Sequence, residues 1–358
     1  MKRTIALLLS AVMLLTTACN RPEETTEEPI QYWTEDSPAM LSIIDFVNSV
    51  CDESSDSYVE PSERIAVFDS DGTLYGELFP SYFDKCLMMH RLLRDKTYKP
   101  NPDDRKYAKE LEKALLSGQP EPDSTRSDSQ ITAESFKGFT VEEYRKYIRE
   151  FMNEPAVGFE GMTYGKGAYK PMLALIKYLV RHEFMVYIIS GTETNLLREL
   201  WADDLGTWVP PCRIIGSTMT LAATGQGDKA LRDYNLSSDD EVIIAGSMTN
   251  KCNKMAKVST IVNQIGIPPL LAFGNSSGDF SMGTYTVRNG GKAYMLLCDD
   301  TERDYGNTEK AAKFEKQCKE LGFETVSMKN EFETIYGEKV KKTSYIQEQE
   351  QQQLAPAA

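Results

Sequence analysis

Two aspartates, two residues apart, close an apolar run in this 358-residue chain: Ile65-Ala-Val-Phe68 is followed directly by Asp69-Ser-Asp71-Gly-Thr73. The run is short and rich in β-formers, which predicts a buried strand, and Gly72 permits a sharp turn just beyond it. In an open α/β sheet, ligands sit where strands end, so both carboxylates are expected at the working edge. Two carboxylates held that close repel, and one takes up a proton unless a cation joins them. A divalent metal resolves the conflict. The plain alternative is a strand followed by an Asp-rich turn.

Further segments end strands with chemistry. Phe184-Met-Val-Tyr-Ile-Ile189 reads as a second strand closed by Ser190-Gly191-Thr192, and Asn195–Leu200 continues with helical character. A hydroxyl and backbone N–H groups at a helix N-terminus suit a phosphate. Pro269-Leu-Leu-Ala-Phe273 is a third run, ending in Gly274-Asn275-Ser-Ser-Gly-Asp279. Just upstream, Met255, Val258, Ile261, Val262 and Ile265 repeat at helical spacing, with Lys257 near the start of that helix. Taken singly, Ser190 is explained as a turn residue, Lys257 as a solvated lysine and Asp279 as a helix cap.

In this order the motifs resemble the haloacid dehalogenase superfamily, in particular its phosphoserine-phosphatase-like branch. The likeness extends to Pro171–Leu179 leading into Ile188-Ile-Ser-Gly191, to Arg213-Ile-Ile-Gly-Ser217, to Ile265-Gly-Ile-Pro-Pro269 and to Asp299–Asp304. It spans roughly residues 62 to 336 and is thinnest between 80 and 140. The resemblance implies a phosphomonoester hydrolase. Asp69 would be the nucleophile that forms an aspartyl-phosphate, and Asp71 the acid that protonates the leaving alcohol and then activates water. Ser190, Gly191 and Lys257 would bind phosphoryl oxygens. Mg²⁺ would be held by Asp69, the backbone carbonyl of Asp71, and the Asn275–Asp279 loop, an oxygen-only set that suits this ion.

Two departures stand out. Many relatives carry Asp where this chain has Asn275, which makes Asp279 the expected main acidic partner of the metal. Val258 follows Lys257 where some relatives have Pro. The dehalogenase reaction does not need a second acid like Asp71, and transport ATPases carry Lys-Thr in the corresponding loop.

The elements expected to position these residues form a Rossmann-like parallel α/β sandwich (residues 41–77 and 169–340) with an all-helical cap inserted at 78–168. Tyr82, Cys86, Leu87, His90, Leu92 and Leu93 make one helical stretch of the cap, and Tyr144, Tyr147, Ile148 and Phe151 another; Ser117–Ser129 reads as a loop between them. A cap lets a phosphatase exclude bulk water while the covalent intermediate forms. Glu77 sits where related enzymes often have an acid that meets the leaving group; its plain reading is a surface glutamate at a helix start. His90 reads as a cap-core residue. Candidate substrates are small phosphomonoesters such as phosphoserine, phosphocholine or phosphoethanolamine.

Lys2 and Arg3 precede the apolar run Ile5–Leu15, which is too short to span a bilayer as a helix. Thr16-Thr-Ala-Cys19 closes it, so residues 1–19 read as an export signal. The site resembles a bacterial lipobox, implying a lipid on Cys19 and an anchor on the outer side of the cytoplasmic membrane. Residues 20–40 read as a flexible tether, and 341–358, with its Gln/Glu run, as a disordered tail. The net charge of −14 argues against nucleic acid as a partner. Any anionic substrate must then be drawn by local charge. Besides Cys19 there are Cys51, Cys86, Cys212, Cys252, Cys298 and Cys318, with no CxxC pair, and spacing leaves disulfides and free thiols equally open. Nothing in the sequence sets an oligomeric state. The competing functional class is a catalytically idle lipoprotein that binds phosphorylated ligands.

Overall fold

The structure is a computed structural model that describes residues 30–77 and 79–343. The expected export signal, Cys19, the start of the tether and the Gln/Glu run lie outside those residues. The described strands are β1 (Ile65–Phe68), β2 (Phe159–Glu160), β3 (Met185–Glu193), β4 (Ile214–Ala223), β5 (Val242–Asn250), β6 (Leu271–Gly274), β7 (Lys292–Leu297), β8 (Glu324–Ser327) and β9 (Lys341–Lys342). Seven of them form one sheet in the order β5-β4-β3-β1-β6-β7-β8. All its pairings are parallel except β4 with β5. The chain therefore builds outward from β1 on one side and returns to its other side at β6. That reversal opens a crevice at the C-terminal end of β1, the place where open α/β sheets bind ligands.

All four residues of β1 are buried, which is why the run is apolar without alternation. Ala66 and Phe68 join one core, and Ile65 and Val67 the other. Phe68 stacks on Phe273 at 4.3 Å, and Phe273 on Tyr294 at 5.4 Å, tying β1, β6 and β7 together across one face. Helix α1 (Pro38–Cys51) packs in that same core.

The range expected to be an all-helical insert carries α2 (Phe83–Leu93), α3 (Pro102–Leu116), α4 (Asp128–Ser135) and α5 (Val141–Met152), but also the strand β2, which pairs with β9. Capping boxes at Ser127 and Thr140 start α4 and α5. At its centre the Arg91 guanidinium lies 4.4–5.2 Å from the ring centres of Tyr98, Phe139, Phe136 and Tyr147 and pairs with Asp95. His90 lies in this cap, as expected, with Nδ1 3.1 Å from the Tyr147 hydroxyl. Beyond the cap come α6 (Lys170–Arg181), α7 (Thr194–Leu200), α8 (Ala202–Leu205), α9 (Met255–Thr260), α10 (Phe280–Arg288), α11 (Thr308–Glu320) and α12 (Met328–Glu331).

The turn between α4 and α5 is joined to the sheet edge. Gly138 N–H donates to Ile244 O (2.9 Å), and Ile244 N–H to Phe139 O (2.8 Å). The cap thus covers the edge strand β5, which would otherwise present unpaired backbone groups.

Both expected ends of the folded region differ from the structure. Ile30 and Trp33 are buried, and the Trp33 indole donates to Pro171 O at 3.0 Å while its ring meets Phe332 edge-on. Ser37 caps α1 and donates to the Glu331 carboxylate at 2.6 Å. The stretch from Ile30 onward is therefore part of the fold, held by one aromatic anchor and a helix cap. At the other end, β9 pairs with β2, so the fold reaches beyond residue 340. Cys86, Cys212, Cys252, Cys298 and Cys318 are free thiols. Among the described residues, no helix is long and apolar enough to cross a membrane.

Candidate active site

Asp69 leaves β1 with its N–H still donating to Phe273 O at 2.9 Å, so its backbone is fixed by the sheet ladder. The Lys257 ammonium reaches it from α9 and donates to Asp69 Oδ1 at 2.7 Å and to Asp279 Oδ1 at 2.6 Å. Burial works against the charged lysine, but the two carboxylates outweigh it and hold its pKa above the ordinary value. Burial, and next the charge of Asp279, push Asp69 up to about 6, with Lys257 opposing.

Asp71 occupies the other side of the turn. Its Oδ2 accepts from the Thr192 hydroxyl at 2.6 Å and from Ser190 Oγ at 3.5 Å. Its Oδ1 is buried and has no hydrogen-bond partner. Burial, then the charges of Asp84 and Asp69, push the Asp71 carboxyl up to about 7. One carboxyl is thus anchored to a cation, and its neighbour is poised to exchange a proton near neutrality.

Local chain geometry produces this separation. Ser70, between the two aspartates, is buried and its hydroxyl accepts from the Trp201 indole at 3.2 Å. Gly72 has φ +71°, and a Cβ there would meet the Asn275 amide at 1.9 Å, so the turn needs glycine for both reasons. At the end of β3, the Gly191 carbonyl accepts from Ser217 Oγ (2.6 Å), and Cys252 N–H donates to the same hydroxyl (3.0 Å). Ser217 on β4 therefore links the Ser-Gly-Thr turn to the loop that leads into Lys257.

Asp69, Asp71, Ser190, Gly191, Lys257, Asn275 and Asp279 all line one cavity of about 200 Å³. Two of the expected site residues have further partners. Asp279 is fully buried, with Oδ1 taken by Lys257 and Oδ2 accepting from the N–H groups of Asn275 and Ser276, each at 3.1 Å. It holds the lysine and the loop. Glu77 does not line this cavity. It faces a neighbouring cavity of about 490 Å³ behind Asn275, shared with Lys310 and Phe314. The cap residues that line this cavity are Tyr82 and Asp84, together with Lys251 and Asn253. Burial pushes the Asp84 carboxyl up, with Lys251 opposing.

Compared with known proteins, the chain matches no family model and no curated protein. Solved structures do resemble it. A conserved protein of unknown function from Anaerococcus prevotii DSM 20548 superposes with a TM-score of 0.50 at 12% identity, over 85% of this chain and 97% of that one. A protein of unknown function from Bordetella pertussis Tohama I gives 0.45 at 11% identity, over 74% and 98%. A phosphoserine phosphohydrolase-like protein from Francisella tularensis gives 0.39 at 16% identity, over 70% and 92%. The first likeness is one of fold.

Thr192, Tyr82 and Asp84 were not singled out by sequence reasoning. Thr192 had a signal: it lies two residues beyond Ser190 on the same strand, and side chains at that spacing share a face. Tyr82 and Asp84 had none, because their approach to the cavity depends on how the cap folds back.

Proposed function

We propose that this protein is a Mg²⁺-dependent phosphomonoester hydrolase that works through a phosphorylated Asp69. The observation that carries this reading is the buried Lys257 clamped between Asp69 and Asp279, beside a second carboxyl with one unpartnered oxygen. A binder of phosphate needs the cation but has no use for Asp71 held at that spacing, and this weighs against the idle-lipoprotein reading.

In the first half-reaction an Asp69 oxygen attacks phosphorus and the ester oxygen leaves, taking the proton of Asp71. In the second, the Asp71 carboxylate takes a proton from water, the hydroxide attacks phosphorus, and Asp69 is released with inorganic phosphate. Lys257, Ser190 and the backbone of Gly191 bind the phosphoryl oxygens, and Thr192 keeps Asp71 aimed. The donor set for the metal is the Asp69 carboxylate, the main-chain carbonyl of Asp71 and the Asn275 amide oxygen. Among the described residues no three His, Cys, Asp or Glu side chains gather as a metal cluster. A hard cation that keeps waters and binds substrate phosphate fits such an oxygen-only, carboxylate-poor set. When bound, Mg²⁺ supplies charge compensation between the substrate phosphate and Asp69.

The small cavity and the cap carboxylate Asp84 support a small leaving group that carries a cation, as in phosphocholine, phosphoethanolamine or phosphoserine. The lipobox-like segment at Cys19 supports a membrane-anchored place outside the cytoplasm, where such an enzyme would scavenge phosphate esters.

The test is turnover of p-nitrophenyl phosphate with Mg²⁺, after EDTA, and in Asp69→Asn. We expect activity that EDTA removes and that the variant lacks. Activity in Asp69→Asn close to that of the native protein would exclude Asp69 as nucleophile. Phosphate binding without turnover by the native chain would favour the idle binder.

A further inference from the structure

We infer that Glu77 is a positioning residue for the cation: it fixes the Asn275 amide with its oxygen turned toward the metal and stands behind it as the negative charge that the amide lacks. This rests on the proposed metal-dependent reading of the site. Asn275 Nδ2 donates to Glu77 Oε1 at 3.0 Å. A carboxylate accepts hydrogen bonds and donates none, so it selects the NH₂ side of the amide and leaves Oδ1 facing away. Asn275 cannot swing clear, since its amide sits in the space that a Cβ on Gly72 would fill, and its N–H is held by Asp279. Glu77 is the shorter of the amide's two side-chain partners, the other being the Thr73 hydroxyl, which donates to Oδ1 at 3.5 Å and favours the same orientation.

The cation beside Glu77 is a weak competitor. Its nearest cation is the Lys310 ammonium at 3.6 Å from Oε2, on a side chain 72% exposed, where water screens the attraction. Accepting from Nδ2 draws electron density toward the amide oxygen, the same way that outer partners strengthen metal ligands generally. A neutral ligand backed by a carboxylate thus takes the place of a charged ligand.

The experiment is Mn²⁺ binding to the full chain, followed by the electron paramagnetic resonance signal of the free ion, in the native protein, Glu77→Gln, Asn275→Asp and the double variant. Thermal melting of each variant reports that it is folded. Loss of an outer partner typically weakens a metal about tenfold or more, and we expect that from Glu77→Gln in the native background. In the Asn275→Asp background the amide that Glu77 orients is gone and the ligand carries its own charge, so Glu77→Gln should weaken Mn²⁺ by a clearly smaller factor. A role for Glu77 that does not act through Asn275 would give the same loss in both backgrounds. An effect below twofold in the native background, or an equal loss in both backgrounds, overturns the inference while leaving the metal site standing. If the native chain does not bind Mn²⁺ at millimolar concentration, the metal-dependent reading falls and the inference with it.

Discussion

A lysine enclosed between two carboxylates loses its hydration, and only close, well-directed partners offset that loss. Lys257 has both at 2.7 Å or less, and the second partner, Asp279, is itself saturated by the loop it anchors. The ammonium therefore sits at a fixed place beside Asp69. Asp84 is different in kind: it lines the cavity from the cap, and among the described residues it is supported by the Lys85 N–H and by the charges of Lys251 and Lys85. If it meets the leaving group, Asp84→Asn should raise KM for phosphocholine or phosphoethanolamine about tenfold, the cost of losing a charged hydrogen bond. Turnover of p-nitrophenyl phosphate, whose leaving group has no cation, should stay within about twofold on the same ground. Steady-state kinetics on both substrates decides it, and equal losses would remove Asp84 from substrate recognition.

At the scale of elements, the cap is built around a single guanidinium. Arg91 donates through Nε to Ser135 O at 3.1 Å, pairs with Asp95 and stacks among four rings. Replacing it by methionine leaves Asp95 without its cation, held only by the Thr97 N–H and hydroxyl, and should lower stability by about 3 kcal/mol, read as the shift of a urea unfolding curve. Arg91→Lys should also destabilise, because an ammonium cannot present a planar fork to a carbonyl and a carboxylate while lying flat on aromatic faces. A lysine variant as stable as the native protein would show that charge alone matters there. The sequence made the cap visible as helices through the spacing of Tyr144, Ile148 and Phe151, yet not where it docks. Asp69, Asp71, Ser190 and Lys257 were legible because each follows a strand or opens a helix, and local pattern fixes that. The partners of Glu77 and Asp279 were not, since they depend on how far Asn275 and Lys257 reach across the sheet.

For the whole molecule, the net charge of −14 opposes the anionic substrate proposed above, so Lys257 and the backbone would have to attract it locally. The boundary of the fold was misplaced in the sequence for a physical reason. A Glu-, Thr- and Pro-rich stretch gives no period, but one Trp and one Ser cap suffice to dock Ile30–Ser37 against α6 and α12. A tether, if the chain is anchored at Cys19, is then confined to about ten residues before Ile30, which places the enzyme close to the lipid surface. Cys19→Ala should move the protein from the membrane to the soluble fraction after cell fractionation, with phosphatase activity retained. Membrane association that survives the substitution would exclude the lipid anchor.

The backbone join between the cap turn and β5 has a mechanical side. A cap that opens must either break the Gly138–Ile244 and Ile244–Phe139 bonds or carry the β4–β5 hairpin with it. In the second case the hairpin is a lever whose outer arm, residues 224–241, includes the exposed Leu231 and Leu236. Energy exchanged between two linked positions is reciprocal, so whatever grips that arm sets the ease of opening, and whatever fills the cavity is felt at the arm.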